Sequence, residues 1–232
     1  MTDDRKAGLL LILGSIGGIV TMAIHPHGLH TLTPVQLERL ATVSAIAHSL
    51  AMVSCLALFL GAIGLMRRLA SREAADKTDR LAIAALVTFG FAAVALLIAT
   101  AVSGFIVPAI VRQMIADKAV NAPQWNIVID AVFQFNQAFA RIYSVAASVS
   151  IVLWSASALR NAGLTRFIAL YGCIVPSVLI CLIFVGHIRL DVHGMGLVVL
   201  VHAIWFVVVG AQLYQHPDPT GSIAPTPVLQ PE

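Results

Sequence analysis

The segment LAIAALVTFGFAAVALLIATAVSGFIV, residues 81–107, shows which class of fold this chain adopts. It contains no charged side chain over its whole length. A bilayer has a hydrocarbon core about 30 Å thick, which an α-helix of about 20 apolar residues crosses. The segment therefore predicts a membrane-spanning helix that is longer than the hydrocarbon core requires.

Five further segments share this apolar character, at about residues 7–24, 41–66, 131–159, 164–186 and 194–213. A transmembrane β-barrel would show short segments of alternating hydrophobicity, and the bilayer admits little besides helices and closed barrels. The sequence thus predicts an all-α polytopic membrane protein with six transmembrane helices in one domain, residues 1–215. A proline-rich tail, residues 216–232, is expected to be disordered and cytoplasmic.

The composition excludes several classes of protein. Of the 232 residues, 59% are hydrophobic and 11% are charged, whereas a soluble domain carries about 25% charged residues. The net charge of +3 comes from loops, so binding to nucleic acid is not expected. The three cysteines lie in apolar runs without a C-x-x-C pair, and no phosphate-binding or dinucleotide-binding motif is present.

The distribution of basic residues predicts the orientation in a plasma (inner) membrane. With the N-terminus in the cytoplasm, nine Lys and Arg residues fall inside and four outside, which agrees with the positive-inside rule. Both termini are then cytoplasmic. The run from Ala7 to Ile24 is longer than a usual signal-peptide core, so we expect it to be retained as the first helix.

Two histidines are expected to lie inside the membrane at one depth. His48 is about 10 Å along the second span and His202 about 12 Å along the sixth, both counted from the predicted outer boundary. An ionisable group at such a depth needs a polar partner, and imidazole is a common metal ligand. This predicts axial ligands of haem b, or ligands of a transition metal such as copper. The alternative is a pair of core histidines with satisfied hydrogen bonds.

Other histidines cluster in the predicted outer loops. His25, His27 and His30 follow the first span, and His187 and His193 flank Asp191 between the last two spans. Such residues ligate metals or move protons. The alternative is that their rings anchor the chain at the level of the lipid headgroups and bind nothing.

A polar stripe is predicted along the fourth span. At about 100° per residue its members lie within about 40° of one direction. They are Asp130, Gln134, Gln137, Arg141, Ser144, Ser148 and Ser155. Because lipid penalises polar groups, this face should point into the bundle.

Arg141 is the most informative member of this stripe. Counted from Asp130 it lies about 16 Å along the helix, near the bilayer centre, with no carboxylate at its depth. A haem propionate, an anionic headgroup or a quinone would then bind Arg141, with Gln134 and Gln137 completing the hydrogen bonds. The alternative is that Arg141 binds backbone carbonyls freed near a helix break such as Pro108 or Pro176, or reaches water through a narrow cavity.

Three functions remain compatible with the sequence. The first is a membrane redox protein that holds haem or a transition metal at the histidines. The second is a transporter or channel for a small anionic or amphipathic solute, which would pass along the stripe. The third is a membrane enzyme acting on a lipid or quinone, with Asp130 and His187 in acid–base catalysis. The expected partners are the lipid bilayer, a small anionic ligand or quinone, and further copies or other chains in a membrane complex.

Overall fold

The computed structural model describes residues 1–25, 34–70, 80–117, 122–161 and 164–217. These ranges are helical apart from short connections, and they contain no strand. The elements are α1 Asp3–Ile24, α2 Pro34–Ala70, α3 Arg80–Ala101, a π-helical turn Val102–Ile106, α4 Val107–Ala116, α5 Ala122–Asn161, α6 Arg166–Val185 and α7 Val192–Gln215. Because α3, the π turn and α4 are continuous, the described chain forms six rods, each long and apolar enough to cross a membrane. The six-helix, all-α prediction is confirmed.

Three of these rods are longer than a membrane requires. α2 and the α3–α4 rod have 37 residues each and α5 has 40, so they are about 55 to 60 Å long against about 30 Å of hydrocarbon. α1 has 22 residues and ends where His25 contacts His48 of α2. The first turns of α2 therefore extend beyond α1. We call this the cavity end of the bundle, and the opposite end, where α1 begins and α7 ends, the terminal end.

Close backbone contacts hold α1 against its two neighbours. A Cβ at Gly14 would lie 2.8 Å from the Ser54 carbonyl oxygen of α2, and one at Gly61 would lie 2.8 Å from Leu11. On the other side of α1, a Cβ at Gly8 would collide with the Gly210 carbonyl of α7. Since helices in lipid associate mainly by van der Waals packing, these small residues position α1 between α2 and α7.

A cluster of large aromatic side chains fills the middle of the bundle. Trp154 and Trp205 stack with ring centroids 6.0 Å apart, and Phe206 meets the Trp205 ring edge-on at 5.2 Å. Phe89 lies 5.5 Å from both Trp154 and Phe206. All four are buried. This aromatic cluster joins α3, α5 and α7 below the cavity described in the next subsection.

A buried arginine joins three elements at the terminal end. Arg68 of α2 is 7% exposed, and its Nη1 donates to Asp4 Oδ2 of α1 at 2.8 Å. Its Nη2 donates to the carbonyl oxygen of His216, directly after α7, at 3.1 Å. Asp4 keeps 18% of its side chain exposed, so the pair is partly solvated.

We expect Arg68→Ala to lower the free energy of unfolding by about 2 to 3 kcal/mol, just below the range for breaking a fully buried ion pair. The loss arises because two charge-assisted hydrogen bonds disappear together. Arg67→Ala is the matched control, since Arg67 is exposed and should change stability by less than about 0.5 kcal/mol. Denaturant unfolding in mixed micelles measures both variants. Equal stabilities of the two variants would contradict a structural role for the pair.

Candidate functional site

An open cavity of about 380 Å³ lies at the cavity end, lined by α1, α2, the α3–α4 rod, α5 and α7. This volume falls in the range of about 300 to 1,000 Å³ that small-molecule sites occupy. Its walls are mainly apolar and include Leu37, Leu40, Leu58, Leu96, Val111 and Phe133. Phe206 belongs both to the cavity wall and to the aromatic cluster. The aromatic cluster therefore closes the bundle directly below the cavity.

His48 lies in the cavity wall with its ring held in one orientation. Its Nδ1 is 2.7 Å from the carbonyl oxygen of Ser44, one turn earlier on α2. Because a carbonyl oxygen only accepts hydrogen bonds, Nδ1 carries the proton, and Nε2 of the neutral ring keeps its lone pair. The His25 ring meets His48 edge-on, with centroids 5.1 Å apart. The structure thus pairs His48 with His25, a histidine that the sequence analysis assigned to a loop cluster.

The π turn explains how α2 and the α3–α4 rod approach each other at His48. Pro108 has no backbone N–H, and the Val107 N–H bonds to the Val102 carbonyl five residues back. The Ser103 carbonyl is thereby left without a donor from its own helix. The Ser44 hydroxyl of α2 donates to it at 3.0 Å. Pro108 therefore creates the acceptor that fixes the Ser44 side chain, directly beside His48.

A glycine in the π turn makes the space for His48. A Cβ on Gly104 would lie 2.5 Å from the Cβ of His48, which is too close for any real contact. Since the His48 Cβ is fixed to the α2 backbone, it cannot move without moving the helix. Only glycine fits this position.

We expect Gly104→Ala to destabilise the bundle by about 1 to 3 kcal/mol, as overpacking a core does, and to shift His48. Gly90→Ala, on the same rod, is the matched control. A Cβ there would meet Phe59 at an ordinary 3.7 Å, so the higher helix propensity of alanine should leave stability unchanged or raise it. Thermal unfolding in detergent compares the two. A stable Gly104→Ala variant would show that the helices have room to separate.

A second histidine, His202 of α7, lies deeper in the same cavity and is 3% exposed. Its Nε2 is 2.9 Å from the Ser148 hydroxyl oxygen of α5. The Tyr143 ring, also in the cavity wall, meets the His202 ring edge-on at 6.1 Å. Within the part of the chain that the structure describes, His202 Nδ1 is buried without a hydrogen-bond partner.

The two histidines differ in depth, in contrast to the shared depth expected from the sequence. His48 is nineteen residues from Arg67, about 28 Å along α2 from the terminal end, whereas His202 is thirteen residues from Gln215, about 20 Å along α7. α1 lies between α2 and α7. The two rings therefore reach the cavity from separate helices and at different levels.

Only part of the polar stripe of α5 points into the bundle. Ser144, Ser148 and Ser155 are fully buried, and Gln137 is half-buried in the cavity wall. The remaining members of the stripe, which the sequence analysis expected to face inward, are exposed: Asp130, Gln134 and Arg141. The inward prediction is therefore correct for the serines and Gln137 and wrong for these three.

Arg141 also lies elsewhere along the helix than expected. α5 begins at Ala122 rather than near residue 131, so Asp130 lies inside the helix and not at its start. Arg141 is nineteen residues from Arg160, about 28 Å from the terminal end, at the same level as His48. Its side chain is exposed and does not belong to the described cavity wall. The prediction that Arg141 is a cation buried inside the bundle is therefore wrong.

The other predicted site residues are spread over the cavity end. His187 and His193 are exposed and are not part of the described cavity wall. Asp191 caps α7, its Oδ1 accepting from the backbone N–H groups of His193 and Gly194 at 3.0 Å. His27 and His30 lie outside the described residues. Among residues inside the described ranges, no three His, Cys, Asp or Glu side chains are grouped closely enough to hold a metal ion.

Comparison with known protein families, with curated proteins and with solved structures finds no match for this chain. The function proposed below therefore rests on the geometry of the cavity.

Proposed function

We propose that this protein binds a small, uncharged amphipathic molecule in the cavity, within or at the edge of a membrane. The observation that carries the proposal is the cavity itself: about 380 Å³, apolar walls, and a few polar groups held at fixed positions. This combination is typical of small-molecule sites, in which apolar walls give affinity and few polar groups orient the ligand. A quinone or a neutral lipid has the matching chemistry.

The charges around the cavity favour an uncharged ligand over an anionic one. No Arg or Lys is found among the described residues of the wall, and its one carboxylate is Asp191. An anion in an apolar cavity requires a cationic or hydrogen-bonding partner to offset its desolvation. Arg141, the cation that the sequence analysis assigned to this role, is exposed on α5.

The aromatic cluster favours binding over passage through the bundle. Trp154, Trp205 and Phe206 are almost fully buried and close the interior below the cavity. A solute crossing from one end to the other would have to displace these rings. The acid–base pair of Asp130 and His187 gains no support either, because both side chains are exposed and neither belongs to the described wall.

The experiment that tests the proposal is ligand recovery combined with probe binding. Protein purified in mild detergent is extracted with organic solvent, and the extract is analysed by mass spectrometry. A fluorescent alkyl probe is then titrated into the extracted protein in nanodiscs. We expect a neutral amphipathic molecule in the extract and saturable probe binding near one per chain. An empty extract together with purely non-saturable probe partitioning would refute the proposal.

A second candidate is a haem or transition-metal site, and the orientation of His48 favours it. Metal-ligating histidines usually donate their second ring N–H to a carbonyl or carboxylate, as His48 Nδ1 does to Ser44. His25 lies beside it and supplies a second imidazole. An absorbance spectrum and metal analysis test this candidate, with His48→Ala as the comparison. A colourless, metal-free preparation that still binds the alkyl probe would exclude the haem or metal site and support the amphipathic ligand.

A further inference from the structure

We propose that His202 and Tyr143 form a polar subsite deep in the cavity that binds a carbonyl oxygen carried by an apolar ligand. The inference rests on the proposed function and specifies the chemistry of the ligand's buried end. A quinone ring and a fatty ester both carry such an oxygen, and the experiment below distinguishes them.

The hydrogen-bonding pattern of the buried serines assigns the proton between Ser148 and His202. Five other serines of the bundle donate to the carbonyl four residues earlier on their own helix, whereas Ser44 donates to the Ser103 carbonyl and buried Ser155 has no partner in the described ranges. The five are Ser15, Ser54, Ser144, Ser150 and Ser177. Ser148 makes no such bond, and its described hydrogen bond is the contact to His202 Nε2. Its hydroxyl proton is therefore free to be donated to Nε2.

This donation fixes the tautomer of His202. A neutral imidazole carries one proton, so a ring that accepts at Nε2 must carry its proton at Nδ1. Nδ1–H is then a donor, and it has no partner within the described ranges. A buried donor left without an acceptor costs about 1 to 3 kcal/mol. A bound acceptor would remove this cost.

Tyr143 supplies a second donor in the same cavity wall. The residue is 7% exposed, lies in the cavity wall, and its hydroxyl group makes no hydrogen bond to the described chain. Its ring centroid is 6.1 Å from that of His202. A carbonyl oxygen has two lone pairs and accepts two hydrogen bonds at once. The two donors thus match one carbonyl oxygen.

The surroundings of this pair fit the apolar part of such a ligand. The Met195 and Phe206 side chains line the cavity beside His202, and the Ser144 hydroxyl is already bonded to the Ala140 carbonyl. No described Lys or Arg reaches the cavity wall, so the subsite recognises a neutral oxygen rather than a carboxylate.

The test compares three competitors of the fluorescent probe in nanodiscs: decylubiquinone, methyl laurate and an alkylbenzene without oxygen. Tyr143→Phe and Ser148→Ala are measured beside two matched controls, Tyr171→Phe and Ser150→Ala, whose hydroxyls bond to backbone carbonyls. We expect Tyr143→Phe and Ser148→Ala each to weaken carbonyl binding by about threefold to tenfold, the effect of one hydrogen bond. Alkylbenzene binding and both controls should remain unchanged.

A loss of affinity for decylubiquinone alone identifies a quinone ring as the source of the bound carbonyl oxygen, and a loss for methyl laurate alone identifies an ester. Either result supports the subsite. Equal losses for decylubiquinone, methyl laurate and alkylbenzene would overturn the subsite while leaving the proposed function in place. Absence of competition by all three in the parent protein would overturn both. If Ser148→Ala does not fold, Tyr143→Phe is examined by infrared spectroscopy with ¹³C-carbonyl ligand. A carbonyl stretch that is identical in parent and variant would also overturn the subsite.

Discussion

Replacing Ala140 with Trp is expected to weaken ligand binding by nearly a hundredfold while the bundle remains folded. Ala140 is buried in α5, and its side chain lines the cavity. An indole at this position would extend into the space of about 380 Å³ and occupy part of the volume that a ligand needs. Displacing about 100 Å² of apolar ligand contact costs about 2.5 kcal/mol, which is nearly a hundredfold in affinity.

The matched control is Ala138→Trp, on the same helix two residues away. Ala138 is exposed and is not part of the described cavity wall, so the same indole there should leave probe binding unchanged. Probe titration in nanodiscs measures both variants, and thermal unfolding confirms that both are folded. If the Ala140→Trp protein binds the probe as tightly as the Ala138→Trp protein, the ligand does not occupy this cavity.

The six spans could be predicted because each is decided locally. A run such as residues 81–107 is long and apolar enough to cross a membrane, and in lipid it forms a helix whatever it packs against, since the backbone has no other partners there. The start of α2 also has a local signal, because Pro34 is its first residue and proline is favoured at that position. The first turns of α5 were missed because residues 122–130 are mixed in polarity, and hydropathy alone does not separate such a helix from a loop.

The main error about the site concerns Arg141. The prediction counted its depth from Asp130 and turned it into the bundle, whereas the observed helix begins at Ala122 and leaves the side chain exposed. Depth along a helix depends on where the neighbouring helices begin and end, which the sequence does not state. The partner of His48 was missed for a similar reason, because only the packing of α1 against α2 brings His25 to it.

The polar interior was partly predictable from periodicity. Ser144, Ser148 and Ser155 recur on one face of α5, and all three are buried as expected. Periodicity does not reveal what lies opposite that face, so the contact between Ser148 and His202 emerged only from the structure. The π turn has one signal in the sequence, Pro108. The hydrogen bond that results from it is donated by Ser44 of another helix, and the sequence does not show that contact.

The aromatic cluster gives the second large expected effect. Phe89→Ala should lower the free energy of unfolding by about 2 to 4 kcal/mol, because the ring is 3% exposed and packs against Phe59, Trp154 and Phe206. Within a membrane the gain from leaving water is absent, since lipid chains are as apolar as the core. The loss is therefore one of van der Waals contacts around an unfilled void.

Phe91→Ala is the matched control on the same helix, because it removes an equally hydrophobic ring that does not pack in the core. Phe91 is 68% exposed on the outer surface, so its removal exchanges contacts with lipid for other contacts with lipid and should cost less than about 0.5 kcal/mol. Reversible unfolding in mixed micelles measures both variants. The Phe89→Ala void also adjoins Phe206 in the cavity wall, so alkyl probes with longer chains should gain affinity in that variant only. Equal stability of the two variants, with no change in preferred chain length, would mean that the aromatic cluster does not form the floor of the cavity.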